Sequence, residues 1–457
     1  MMKTDEQQAE SWLFIYRISG FCWICLRRSV MPSSNYKWYK LDNAATIVPA
    51  TARGSDTRVF RVTCELKEDV DGEFLQEALD QALLEFPHFR VVLRKGLFWY
   101  YLDSTDMRPL VRKEDLPACS PLYFSGRRSL LFRVNYYKKR INLEMFHVLA
   151  DGTGGFMFMK KLVFLYCQMK YGVEVPSEAD LSSSADEKNQ DAFDYFYSKE
   201  KGRDQLETMM SNKAYQIRQD KDDNMQNHLV EGTVSAKAFM ELARNYQTTA
   251  GILICALYIE AVIRSMPVKD QRHPVVISVP VNLRQFFPSE TTRNFFGVIN
   301  VVVKAEEYDG TVESILPRVK KAFKEQLSEE NIKKTMNRYS QLQHNRGIRM
   351  VPLAIKDLVI LYFTHKTRRG TTATLSNLGR IDMPDSIAPY IDRFSAFMST
   401  QNMQVCISTF RDKMVFGAVS AYSEHRVLLG FFRRLTELGL EVEIGSNDYD
   451  RREEQDE

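Results

Sequence analysis

His147, Asp151 and Gly152 are the residues of this 457-residue sequence whose types and spacing could do acid–base chemistry. They lie in Phe146-His147-Val148-Leu149-Ala150-Asp151-Gly152, followed by Thr153-Gly154-Gly155. A histidine ends an alternating strand, an aspartate follows four residues later, and a glycine turn leads into a helix. With seven histidines in the chain, composition alone gives about 0.02 His-x-x-x-Asp-Gly matches by chance. An imidazole titrates near neutrality, so it can take a proton from a hydroxyl, amine or thiol and return it.

Asp151 has two readings. One is a second catalytic carboxylate. The other, which spacing across a tight turn favours, is a carboxylate that folds back or pairs with an arginine to hold the loop. Gly152 permits a backbone geometry in which an N–H approaches a reacting oxygen. The plain alternative to all of this is a core histidine followed by an ordinary Asp-Gly turn. No G-x-S-x-G elbow, Walker loop or H-E-x-x-H is present, which argues against serine-hydrolase, NTPase and zincin chemistry. Ser376-Asn377-Leu378-Gly379 comes nearest to an elbow and is not one. Gly154-Gly155 is too brief for a phosphate cradle.

The elements that must position these residues follow from periodicity. Residues 58–66 alternate as a strand, and 71–86 carry apolar side chains at helical spacing behind Asp71 as N-cap. Hairpins are predicted around Lys95-Gly96 and around 138–140, so the motif ends a strand; a long apolar helix then runs from Thr153 to Tyr171 and stops at Gly172. From 176 to 228 the composition turns polar and serine-rich, an exposed crossover with short helices around 191–216. Helices 235–246 and 249–265, strands 275–281 and 298–303 and helix 310–328 follow. A basic, polar stretch leads to strands at 372–376, 393–399, 403–410 and 414–420, and a last helix near 424–438. Strand, helix and strand recur in both halves, which points to two α/β lobes facing each other: 31–175 and 229–445, with an acidic tail from 446 to 457.

Length favours two domains. A net charge of +3 with 26% charged residues gives no basic run interleaved with aromatics, so nucleic acid is not an expected partner. The seven cysteines (Cys22, Cys25, Cys64, Cys119, Cys167, Cys255, Cys406) are scattered, complete no zinc site and read as reduced thiols in a cytoplasmic protein. Residues 1–30 stand apart. Trp12 to Leu26 is apolar, interrupted by Arg17 and closed by Arg27-Arg28, after an acidic stretch that is wrong for a signal peptide. Fifteen helical residues reach about 22 Å, short of the roughly 30 Å of a hydrocarbon core. The segment reads as an extension upstream of a true start at Met31, as a disordered arm, or as a short membrane-surface anchor.

From about Tyr36 to about Ile444 the chain resembles the chloramphenicol acetyltransferase-like superfamily, closest to its bacterial alcohol acetyltransferase-like branch. The resemblance rests on the His147/Asp151/Gly152 motif, then in order Val279-Pro280-Val281-Asn282-Leu283-Arg284, Asn294-Phe295-Phe296-Gly297 and Leu375-Ser376-Asn377-Leu378-Gly379. It implies two lobes, each a mixed sheet with flanking helices, and a tunnel at their interface. Acyl-CoA, or an acyl carrier protein, would enter from one face and an alcohol or amine acceptor from the other. It implies His147 as general base for direct attack on the thioester, without an acyl-enzyme, and Asp151 paired with Arg284. Ser376 or Asn377 would stabilise the oxyanion, with the Gly152 N–H as alternative, and Asn294 to Gly297 would be structural. Many relatives carry a second histidine where this chain has Phe146, which moves it away from the condensation and wax-ester branches.

The function expected is therefore an acyl-CoA-dependent O- or N-acyltransferase, a monomer with no tightly bound cofactor and no metal. The other readings are a non-catalytic acyl-binding module of the same fold, and transfer from a carrier protein.

Overall fold

The computed structural model describes residues 37–173, 184–197 and 213–447, apart from 345. The expected N-terminal extension, much of the crossover and nearly all of the acidic tail lie outside the described residues.

In the first half, strands β1 (Trp38–Lys40), β2 (Val59–Leu66), β3 (Val91–Lys95), β4 (Tyr100–Ser104), β5 (Arg112–Lys113), β6 (Phe132–Tyr137) and β7 (Arg140–Phe146) alternate with helices α1 (Val48–Thr51), α2 (Gly72–Glu85) and α3 (Gly152–Tyr171). Asp71 caps α2 by accepting from the N–H groups of Glu73 and Phe74. Asp151 caps α3 through Gly154 N–H, and Gly172 closes it in the left-handed conformation at φ 63°. The second half holds β8 (His228–Ser235), α4 (Ala250–Ser265), β9 (Val275–Asn282), β10 (Phe296–Val303), α5 (Val312–Gln326), α6 (Leu353–Arg368), β11 (Ala373–Arg380), β12 (Ile391–Met398), β13 (Met403–Phe410), β14 (Lys413–Ser420), α7 (Arg426–Glu437) and β15 (Glu443–Ser446).

These strands form a five-stranded sheet in the order β12-β2-β7-β6-β5 and a seven-stranded sheet in the order β10-β9-β11-β13-β14-β8-β15, both mixed, plus a small sheet β1-β4-β3. One strand departs from the arrangement by halves. The segment expected as a strand at 393–399 does form, but it leaves its own half and pairs with β2, Phe394 opposite Cys64 and Ala396 opposite Val62. Phe394 and Phe397 thereby complete the core that α2 and α3 close from the other side. Where β12 passes over the second sheet the backbones nearly touch. A Cβ at Gly417 would lie 2.0 Å from the Ala396 carbonyl, so only glycine fits there.

Two further differences have physical causes. β8 was not expected because its buried face carries Glu231, which breaks the apolar alternation. That carboxylate sits 3.0 Å from Arg140 and 3.4 Å from Arg393, both of which also reach Glu65, so four charges tie the sheets together. The basic stretch after 328 leads into α6, which was not expected because it buries only Leu353 fully and so shows no core-facing stripe; polar contacts hold it to the β3–β4 turn.

Candidate active site

The strand β7 ends at Phe146, and the next three residues turn the chain towards α3. His147 sits in this turn, with its N–H held 2.9 Å from the carbonyl of Arg58. Arg58 adopts φ 57°, a left-handed conformation that a residue with a side chain takes only where its surroundings compel it. The imidazole lies edge-on to Phe60 of β2, with ring centroids 5.3 Å apart, and 5.7 Å from the ring of Phe296 on β10. The histidine thus stands between the two sheets, only partly buried.

Asn294 sets its protonation. The Asn294 amide nitrogen donates to Asp42 Oδ2 at 3.1 Å and to the His147 carbonyl at 3.0 Å, which turns the amide oxygen towards His147 Nδ1 at 2.8 Å. An amide oxygen only accepts, so the proton rests on Nδ1 and Nε2 keeps a free lone pair. Asp42 is fully buried. It accepts from Ala45 N–H at 2.8 Å and faces Arg293 at 3.7 Å. Burial raises its carboxyl above the usual range, against the pull of Arg293 and of its hydrogen bonds. Burial likewise lowers the His147 pKa below 6.5, assisted by Arg58 and opposed by Asp151 and the Asn294 hydrogen bond. The imidazole is neutral at pH 7.

Asp151 faces away from that lone pair. Its oxygens accept from Gly154 N–H at 2.8 Å and Phe295 N–H at 2.9 Å, and meet Arg284 at 2.8 and 3.3 Å in a two-pronged pair. Arg284 goes on to donate to the carbonyls of Thr291 and Arg293, at 2.8 and 2.7 Å. One arginine therefore shapes the loop that presents Asn294. The first turn of α3 presses against the same loop: a Cβ at Gly154 would stand 1.9 Å from the Thr292 carbonyl.

The sequence-derived residues thus fall into two groups. His147, Asp151, Gly152 and Arg284 come together around one loop. Leu378 joins them, since a Cβ on Gly152 would meet its Cδ2 at 2.7 Å. Ser376, two residues before it, is half-buried on β11 opposite Cys406. Asn377 is exposed, and its oxygen accepts from Gly379 N–H at 2.9 Å, a local turn contact. Asn294, Asp42 and Arg293 are the residues that sequence reasoning missed as site members. Their separation along the chain leaves no local spacing to read, and only the Asn-Phe-Phe-Gly stretch drew attention to that loop.

A second histidine behind the loop supports it without sharing its chemistry. His88 Nε2 lies 2.8 Å from the Thr292 hydroxyl, which itself donates to the Lys188 carbonyl at 3.0 Å, while His88 Nδ1 is buried without a partner among the described residues. Burial, together with the nearby cations Arg293 and Lys188, lowers its pKa to about 3. The unfolded chain protonates this histidine below about pH 6.5 while the fold keeps it neutral, so stability is lost as pH falls from 6.5 towards 3. His88→Gln keeps the donor to Thr292 and removes the titration. Its melting temperature is expected to fall less steeply than the wild type's between pH 6.5 and 4.5; equal slopes would refute the assignment.

No protein-family model matches the sequence, and no curated protein matches it. Solved structures do. A trichothecene 15-O-acetyltransferase from Fusarium sporotrichioides superposes with a TM-score of 0.57 over 90% of this chain and 97% of its own, at 11% identity. The first condensation domain of the calcium-dependent antibiotic synthetase, solved with a substrate analogue, gives 0.58 over 88% and 95%, at 13% identity. A second F. sporotrichioides protein, solved with coenzyme A and T-2, gives 0.58 over 86% and 97%, at 10% identity. The chain has the chloramphenicol acetyltransferase-like fold. Within this fold the motif histidine follows β7 of the first sheet, and the loop that orients it leads into β10 of the second. Among the described residues no group of three or more His, Cys, Asp or Glu could hold a metal ion.

Proposed function

We propose that this protein is an acyltransferase that moves an acyl group from acyl-CoA to an alcohol or amine, with His147 as general base. The observation that carries this reading is the Nδ1–Asn294 hydrogen bond, which leaves Nε2 of a neutral imidazole bare between two lobes. The fold supports it, because neighbours of the same architecture are an acetyltransferase and a protein solved with coenzyme A.

In the proposed reaction the acceptor O–H or N–H gives its proton to His147 Nε2 as the heteroatom attacks the thioester carbonyl. The C–O or C–N bond forms, and the carbonyl electrons move onto oxygen. When the intermediate collapses, the C–S bond breaks and the leaving thiolate takes the proton back from the imidazolium. Asp151 and Arg284 position the loop and exchange no proton. For the oxyanion we assign the Ser376 hydroxyl rather than Asn377, because Asn377 is exposed with its amide nitrogen towards Gly251, whereas Ser376 is half-buried two residues before Leu378, which lies against Gly152. Acyl-CoA acts as a co-substrate rather than a bound cofactor.

The test is free-thiol release from a panel of acyl-CoAs of increasing chain length, with and without small alcohols and amines. Acceptor-dependent release is expected. If no pair releases thiol, and acyl-CoA does not raise the melting temperature either, acyl-CoA is not the donor and the reading fails.

A further inference from the structure

Helix α6 presents its apolar side outward. Ile355, Leu358, Val359, Tyr362 and Phe363 recur at helical spacing, and all are exposed, Leu358 at 68%. A helix packed on a soluble core shows the opposite arrangement. The β3–β4 turn lies against this helix, with Leu353 N–H on the Leu97 carbonyl at 2.8 Å and Asp357 accepting from Tyr100 at 2.9 Å. That turn adds exposed Leu97 and Trp99, at 72% and 54%, and the neighbouring β1 adds Trp38 at 60%. Three elements held against one another thus carry eight exposed apolar side chains, four of them aromatic, more than the singly exposed residues that need no explanation.

Charge distinguishes what would cover them. Lys37 and Lys40, beside Trp38 at β1, and Lys366 and Arg369, at the C-terminal end of α6, are exposed. The acidic side chain on α6, Asp357, is turned inward and engaged by Lys95 and Tyr100. Tryptophan and tyrosine on apolar elements that also carry lysine and arginine match the headgroup region of an anionic bilayer, where the rings bury their apolar edges and the cations meet phosphate. Among the described residues no single helix is long and apolar enough to cross a membrane, so the contact is with its surface.

We infer that α6 and the β3–β4 turn form a docking face for an anionic lipid surface. The face also leads to the site. Arg368, at the end of α6, reaches Asp56 at 3.5 Å; Asp56 meets Arg58 at 3.4 Å, and the Arg58 carbonyl holds His147. This chain of contacts couples the face to the histidine, which, on the acyl-transfer reading, suits a lipid-soluble acyl donor or acceptor.

The experiment is co-sedimentation of the full chain with vesicles of phosphatidylcholine alone and of phosphatidylcholine with phosphatidylglycerol, for the wild type and for a Leu358→Glu, Tyr362→Glu double variant. Wild type is expected to bind the anionic vesicles, less well as salt rises, and the variant to bind at least roughly tenfold more weakly with an unchanged melting temperature. Absence of wild-type binding, equal binding to both vesicle types, or binding indifferent to the variant overturns the proposal. So does a dimer in sedimentation velocity that the variant dissolves, which assigns the face to a second copy of this chain. The readout is binding, so its failure is separate from failure of the acyl-transfer reading.

Discussion

Replacing His147 by alanine is expected to lower kcat/KM for acyl transfer about a thousandfold while the protein stays folded. A positioned general base contributes roughly 10²–10⁴ in rate, and the other imidazole at this boundary, His88, is buried behind the loop, whereas His147 is partly exposed. The stability change should be small, about 1–2 kcal/mol, because the ring is partly exposed and its main loss is one hydrogen bond to Asn294. Activity retained above a few per cent would remove the assignment. The pH profile gives a second handle. The base works only when neutral, so the rate falls as pH drops through the lowered His147 pKa, placing the acid limb below 6.5. Asn294→Ala removes a contact that raises this pKa, so the limb should move lower still. Because Nδ1 is then no longer held as the protonated nitrogen, kcat should fall roughly ten- to hundredfold, with KM little changed. A kcat loss with an unmoved limb would mean that Asn294 only supports the loop.

Breaking the Asp151–Arg284 pair should cost more stability than any other change at the site. The carboxylate is 4% exposed, and Arg284 meets both of its oxygens. Removing the arginine leaves a buried charge with only two N–H partners, an effect of about 3–5 kcal/mol. Arg284→Ala also frees the carbonyls of Thr291 and Arg293, so the loop bearing Asn294 loosens and activity falls with stability. Asp151→Asn should cost less, since an amide oxygen still accepts from Gly154 or Phe295. In a double-mutant cycle by chemical denaturation, Asp151→Asn with Arg284→Ala should fall short of the summed losses by roughly 1–3 kcal/mol. Strict additivity would show that the pair contributes nothing beyond its separate hydrogen bonds.

What could be read in the sequence was whatever repeats locally. The alternation of 58–66, the helical spacing of 71–86 and the strand–turn–helix around His147 needed only neighbouring residues. Those elements appear as β2, α2 and the β7–α3 corner. Arg284 came instead from ordered motifs shared with a family, since nothing in its spacing from Asp151 points to it. Asn294 escaped because an amide at the head of a buried strand looks structural until the ring beside it is seen. β12 kept its strand character and changed its sheet, because alternation fixes which face is buried but not which edge is available. α6 was passed over because its apolar residues were judged against a polar background, and a helix with its apolar side outward gives no core signal.

The pairing of β12 with β2 has a consequence for how the chain is made. The residues that complete the first sheet lie far down the sequence: Val59 N–H is bonded to the Ser399 hydroxyl, 340 positions away. As the ribosome delivers the chain, the N-terminal lobe must wait with β2 as an open edge and its core short of Phe394 and Phe397. Closing so distant a contact is slow. The half that carries the histidine is therefore synthesised first but cannot be completed until β12 has emerged, and a chain cut short before residue 391 leaves that half unfinished.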